Sequence, residues 1–164
     1  MRTWIGCPEA NTEDDMDNDS VLSPGDSQVQ RDAELAMVSW LGVVVGCELK
    51  PQRINLANGS RVELDAFSNE PLVICEAWAH QGPPKSAQKY KIMNDAMKLL
   101  AVRRAIGENA RAILLFGDEE AANLFRRQTW QATALAECHI EVMVAKLSDN
   151  LKEEIRAAQT RQYR

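Results

Sequence analysis

The chain has 164 residues and a mass of 18.3 kDa, enough for one well-filled domain and too few for two ordinary ones. Apolar residues make up 45% and charged residues 26%, which excludes a disordered or fibrous class, and no apolar run approaches the roughly 18 residues that cross a bilayer. The net charge of −5 reads at first as an argument against a nucleic-acid partner.

That charge is unevenly placed. Residues 1–27 hold Arg2 and seven acids (Glu9, Glu13, Asp14, Asp15, Asp17, Asp19 and Asp26), so the remainder of the chain is close to neutral and slightly basic. The stretch "NTEDDMDNDS" has too little apolar surface to offset its ordering entropy. Residues 1–27 are therefore expected to form an acidic flexible arm and residues 28–164 the domain. Residues 80–111 carry seven bases and two acids, a local excess suited to phosphate or to an ordinary solvated helix face.

In chain order, "RDAELAMVSWLGVVVG" (31–46) places Met37, Val38, Leu41, Val44 and Val45 on one arc at helical spacing, ended by Gly46. "RINL" (53–56) and "RVELD" (61–65) flank Asn58-Gly59, a strong hairpin signal. A loop with Ser68, Asn69 and Pro71 leads to "LVICEAWA" (72–79), apolar enough for a buried central strand. After the breaker "QGPPKS", a helix is expected over 86–106, closed by Gly107. "ARAILLFG" (110–117) reads as a fourth strand and "DEEAANLFRRQ" (118–128) as a helix with acids in its favourable first turn. Residues 130–137 continue helically after a break near Gln128, "IEVMVA" (140–145) is a fifth strand, and Ser148 caps a final helix. The order α-β-β-β-α-β-α-β-α implies a mixed sheet with helices on both faces.

The four cysteines (7, 47, 75 and 138) form no CxxC pair, so a zinc site is not expected. Cys47, Cys75 and Cys138 read as small core residues. Free thiols and the lack of a basic, apolar leader point to a cytoplasmic, reducing setting. Common nucleotide, hydrolase and zincin signatures are absent.

What remains is carboxylates in awkward places. Glu34 lies at the centre of the arc of Val38, Leu41 and Val45; it either takes a partner or a metal, or reaches past the edge of the core toward the helix N-terminus. A symmetric hairpin centred between Glu70 and Pro71 sets Asp65 opposite Glu76, which interrupts the apolar "LVIC". Such a pair is either two exposed strand-end acids or a site that repels itself unless a cation holds it, and Mg²⁺ accepts one or two carboxylates together with phosphate oxygens. On the following helix, Gln88, Lys91, Asp95 and Lys98 share one stripe, which is either a solvent face or a set of groups brought beside Glu76 by the short intervening loop.

Together these residues resemble the PD-(D/E)xK nuclease superfamily. Glu34 matches the early-helix Glu, Asp65 the motif Asp on the second strand, and "Glu76-Ala77-Trp78" the place of E-x-K on the third, over about residues 31–116. The resemblance implies a restriction endonuclease-like α-β-β-β-α-β core with a mixed central sheet flanked by helices, here extended by α-β-α. It further implies a metal-dependent nuclease that hydrolyses phosphodiester bonds in DNA, with Asp65, Glu76 and the Ala77 carbonyl holding Mg²⁺ or Mn²⁺. Trp78 stands where the motif has lysine. The superfamily moves this lysine to neighbouring elements, so Lys91 is the first candidate, Lys85 the second and His80 the third, with Gln88 beside them. Arg103, Arg104, Arg126, Arg127, Arg156, Arg161 and Arg164 are candidate backbone contacts. The expected partners are DNA and a second copy or larger complex, with no membrane. The alternative is a catalytically inactive nuclease-fold adaptor that binds nucleic acid or a protein.

Overall fold

A computed structural model of the chain describes residues 24–162. Helix α1 (Pro24–Val45) is followed by strands β1 (Lys50–Asn55), β2 (Arg61–Asn69) and β3 (Leu72–Trp78), then α2 (Ser86–Ile106) and β4 (Arg111–Phe116). Two short helices, α3 (Glu119–Asn123) and α4 (Trp130–Glu137), lead to β5 (Ile140–Val144) and α5 (Asp149–Gln162). The strands form one mixed sheet in the order β1-β2-β3-β4-β5. β1 through β3 are an antiparallel meander, and β4 and β5 add in parallel through helical crossovers.

Local chemistry fixes these elements. At the first hairpin, Gly59 takes a φ of 84°, and Asn58 Oδ1 accepts from the Ser60 N–H at 3.0 Å, the side-chain-to-backbone bond that makes Asn a turn residue. Gly46, at φ 74°, ends α1 with its N–H on the Gly42 carbonyl, as left-handed glycine does at helix ends. Asp118 and Thr129 cap α3 and α4 through their side-chain oxygens. Between those helices the chain turns at 124–129, so the helix expected over 118–128 ends already at Asn123, ahead of the break expected near Gln128.

Two apolar layers sandwich the sheet. Alternation along β3 sends Ile74, Glu76 and Trp78 to one face and Val73 and Cys75 to the other. The first face is covered by α2, α3, the turn after α3 and α4 through Ile92, Leu99, Ala122, Phe125 and Leu135. The second is covered by α1 and α5 through Met37, Leu41 and Ile155. β3 and β4 are sealed on both faces, which explains their near-continuous apolar sequence.

Some expectations shift. α1 starts at Pro24, seven residues ahead of the predicted Arg31 and inside the stretch 1–27 taken as an arm. Proline suits a first helical turn, where its missing N–H would be unpaired in any case. Residues 1–23, which hold the rest of that arm, lie outside the described residues. β2 runs on to Asn69, so Ser68 and Asn69 belong to the strand and the turn tightens to Glu70 and Pro71. Val44 is half exposed rather than part of the α1 core face. Of the cysteines, Cys75 alone among the described ones is buried, Cys47 and Cys138 being partly exposed.

Candidate active site at the end of β3

The β2–β3 ladder runs from Asn69↔Leu72 to Ala66↔Cys75, the register that carries Asp65 toward Glu76. Beyond Ala66 the two strands separate, and the Asp65 side chain fills the place of the missing ladder bond. Its Oδ2 accepts from the Ala77 N–H at 2.8 Å. This bond fixes the carboxylate of Asp65 against the backbone one residue past Glu76. Ala77 itself continues the ladder to β4 opposite Leu115.

Glu76 is 5% exposed, on the face of β3 that packs against α2. Lys98, on the fourth turn of α2, places its Nζ 2.5 Å from Glu76 Oε2. The same ammonium donates to the Glu63 carbonyl of β2 at 2.9 Å and stands 4.0 Å from Asp95 Oδ1. Glu76 Oε1 is buried without a hydrogen-bond partner. Burial, and after it the Asp65 carboxylate, push Glu76 up to about 8 from its ordinary 4.5, against the opposing pull of Lys98. One ammonium is thus not enough to offset burial and a neighbouring carboxylate at Glu76.

Asp65 influences more than Glu76. Glu34 of α1 is raised chiefly by its own burial, which outweighs a bond from Gln30 Nε2 at 3.2 Å; the Asp65 charge adds to the rise. Asp95 is likewise raised by burial, and Asp65 contributes there too. The Lys91 charge reaches Glu34, Asp95 and His80. Carboxylates from α1, β2, β3 and α2 therefore share one field at the point where β2 and β3 part. A groove of about 610 Å³ opens from this point between α1 and the β1–β2 hairpin, lined by Arg31, Glu34, Leu35, Arg53 and Asp65 among others.

The expected site residues sort into two groups. Asp65, Glu76 and Ala77 meet at the end of β3, and Glu34 lines the groove beside Asp65. Among the lysines, the one on Glu76 is Lys98, not Lys91 or Lys85. Lys91 is exposed, with its Nζ 5.6 Å from the centre of the Trp78 ring, a cation–π distance. Lys85 is exposed at the entry to α2. Gln88 closes the first turn of that helix, its Oε1 accepting from the Lys85 N–H at 2.8 Å. His80 stacks on Trp78 with ring centres 4.6 Å apart; burial, then the Lys91 charge, lower its pKa.

The sequence favours Lys91 over Lys98 because Lys91 stands nearer the start of the helix, one turn past Gln88, on the end expected beside β3. The loop 79–85 carries the chain past the strand end and is firmly held there. Gln81 exchanges hydrogen bonds with Gln159 of α5, and the Gly82 N–H donates to Asp118 Oδ2. α2 starts beyond the sheet, and only after several turns, at 1.5 Å per residue, does it draw level with Glu76. The i, i+4, i+7 spacing of Lys91, Asp95 and Lys98 was the available signal.

Several predicted backbone contacts have structural roles instead. Arg103 is 8% exposed and donates to the Cys138 and His139 carbonyls. Arg126 donates to the Val142 carbonyl and pairs with Glu119, blocking the open edge of β5. Arg164 lies outside the described residues.

A divalent cation fits the donors present in one respect: Asp65 and Glu76 are hard oxygen ligands, and one buried Glu76 oxygen has no partner. Among the described residues no three His, Cys, Asp or Glu side chains are gathered as a ligand set; Mg²⁺ commonly takes one or two carboxylates and fills its remaining positions with water and phosphate oxygens. No protein-family profile, curated protein or solved structure matches this chain.

Proposed function

We propose that the chain is a metal-dependent nuclease of the PD-(D/E)xK kind, with a restriction endonuclease-like core and with Lys98 of α2 in the role of the displaced motif lysine. The observation that carries this reading is the contact of Lys98 with the buried Glu76 beside Asp65, at the C-terminal end of a central strand. Three features support it: the α-β-β-β-α-β order, the rise of Glu76 to about 8, and the groove that opens at Asp65.

Asp65, Glu76 and the Ala77 carbonyl are the residues that would hold Mg²⁺ or Mn²⁺. Such an ion supplies a more acidic bound water and neutralises charge at phosphorus. The protein's own part is positioning. Asp65 is aimed by the Ala77 N–H, and the Lys98 ammonium is the positive charge nearest the buried Glu76, able to stabilise negative charge developing on a bound phosphate. Lys91, exposed over Trp78, and Arg31, in the groove, would hold neighbouring phosphates of a DNA strand. Glu34 lines the groove with Asp65 from the α1 side and would accept a hydrogen bond from a water there.

Purified protein should nick or degrade DNA in Mg²⁺ or Mn²⁺ and not in chelator, and Asp65→Asn should abolish this while the fold survives. Cleavage by Asp65→Asn at the parental rate would overturn the assignment. A second reading is an inactive adaptor of the same fold. It is favoured by Trp78, which fills the E-x-K position with a side chain 7% exposed in the core. Its signature would be DNA or protein binding without cleavage in any divalent cation.

A further inference from the structure

The Lys98 ammonium sits between oxygens from two strands, Glu76 Oε2 on β3 and the Glu63 carbonyl on β2. A third oxygen, Asp95 Oδ1, lies 4.0 Å away, three residues earlier on α2. Lys98 therefore rests on the very carboxylate that a divalent cation would use, while the second oxygen of that carboxylate is buried and unpartnered. An ammonium and a dication sharing one carboxylate would repel strongly in so poorly solvated a place. The Lys98 side chain is 27% exposed and has a flexible four-carbon stem, so it can leave Glu76 without any movement of α2.

We infer that Lys98 exchanges partners when a divalent cation binds: it leaves Glu76, is received by Asp95, and is thereby presented to the phosphate of a bound strand. This rests on the reading of Asp65 and Glu76 as cation ligands. The cation is then both a ligand of the site and the trigger that frees the ammonium. A polyanion gives the freed ammonium a new counter-charge, so cation and strand each raise the other's affinity by the same factor. Asp95 is a positioning residue in this scheme, acting through Lys98.

The test follows the Lys98 side chain in the full chain by an NMR correlation between lysine Hε and Nζ, while Mg²⁺ alone is added. The signal is assigned by its loss in Lys98→Arg, or by through-bond transfer from the backbone if that variant misfolds. Calorimetric Mg²⁺ titrations of the parent and of Asp65→Asn run in parallel. The expected result is a shift of the Lys98 signal with the calorimetric midpoint, while Lys89 and Lys152 stay in place. Because Asp95 already stands 4.0 Å from the ammonium without Mg²⁺, Asp95→Asn should displace the Mg²⁺-free signal slightly and the Mg²⁺-bound signal several-fold more, whereas a merely structural role would displace both equally. Mg²⁺ binding that depends on Asp65 but leaves the Lys98 signal unmoved would overturn the exchange and spare the cation reading. Absence of any Asp65-dependent binding would overturn both.

Discussion

Two charged side chains are buried among the described residues, Glu76 and Arg103, and both lie against or on α2. They are buried in opposite ways. Arg103 directs its two terminal nitrogens at the carbonyls of Cys138 and His139, where α4 ends and its last carbonyls would otherwise lack donors. Its charge closes the structure. Glu76 has one oxygen on Lys98 and the other on nothing, with Asp65 next to it. Its hydrogen bonding is left incomplete. Burial of a charge is costly in both places, and only the second leaves a need that a ligand can satisfy. The comparison teaches that the state of its partners, more than the bare fact of burial, separates a structural ion from a candidate functional one.

The sharpest way to break this comparison is to remove the cations on each side. Lys98→Met should lower DNA cleavage by about 10²–10³-fold, the scale for losing one positioned transition-state donor. Lys91→Met should instead weaken strand binding and reduce its salt dependence by about one phosphate contact, with turnover little changed. Equal losses from the two variants, measured as single-turnover rates, would remove Lys98 from its special role.

Next in size is a pH effect. The folded chain holds the Glu76 proton up to about pH 8, whereas the unfolded chain releases it near its ordinary 4.5. Between those values the native state binds more protons, so stability in the absence of divalent cations falls as pH rises, and levels off beyond the window. The contribution is on the order of 5 kcal/mol across the window. Glu76→Gln should flatten this slope in denaturant titrations at several pH values; a slope unchanged by the substitution would mean that Glu76 is not its source.

The smallest expected effect is at the closed pole. Arg103→Met should cost about 2–3 kcal/mol of stability, because two carbonyls at the end of α4 lose their donors, with cleavage per folded molecule preserved. Loss of cleavage out of proportion to the melting change would show that the two buried charges are not independent.

Much of this arrangement was legible in the sequence, for identifiable reasons. Periodicity placed α2 and the five strands because each element buries a face and so carries the matching spacing. The hairpin symmetry about Glu70 and Pro71 was enough to set Asp65 toward Glu76, since antiparallel register follows from the turn. Three things were out of reach. Which turn of α2 meets Glu76 depends on how far the loop 79–85 carries the chain, and that is set by its tertiary bonds to Gln159 and Asp118. The roles of Arg103 and Arg126 depend on carbonyls more than ten residues away. The early start of α1 at Pro24 was masked by the acidic composition around it.

The most direct test of the central claim is the rate of Mg²⁺-dependent DNA cleavage by the parent and by Glu76→Gln, purified identically and compared with and without chelator. The account predicts cleavage by the parent that chelator stops, and a loss of about 10³-fold or more in the variant with its fold intact. No cleavage by the parent in Mg²⁺ or Mn²⁺, or equal cleavage by the two chains, would contradict it.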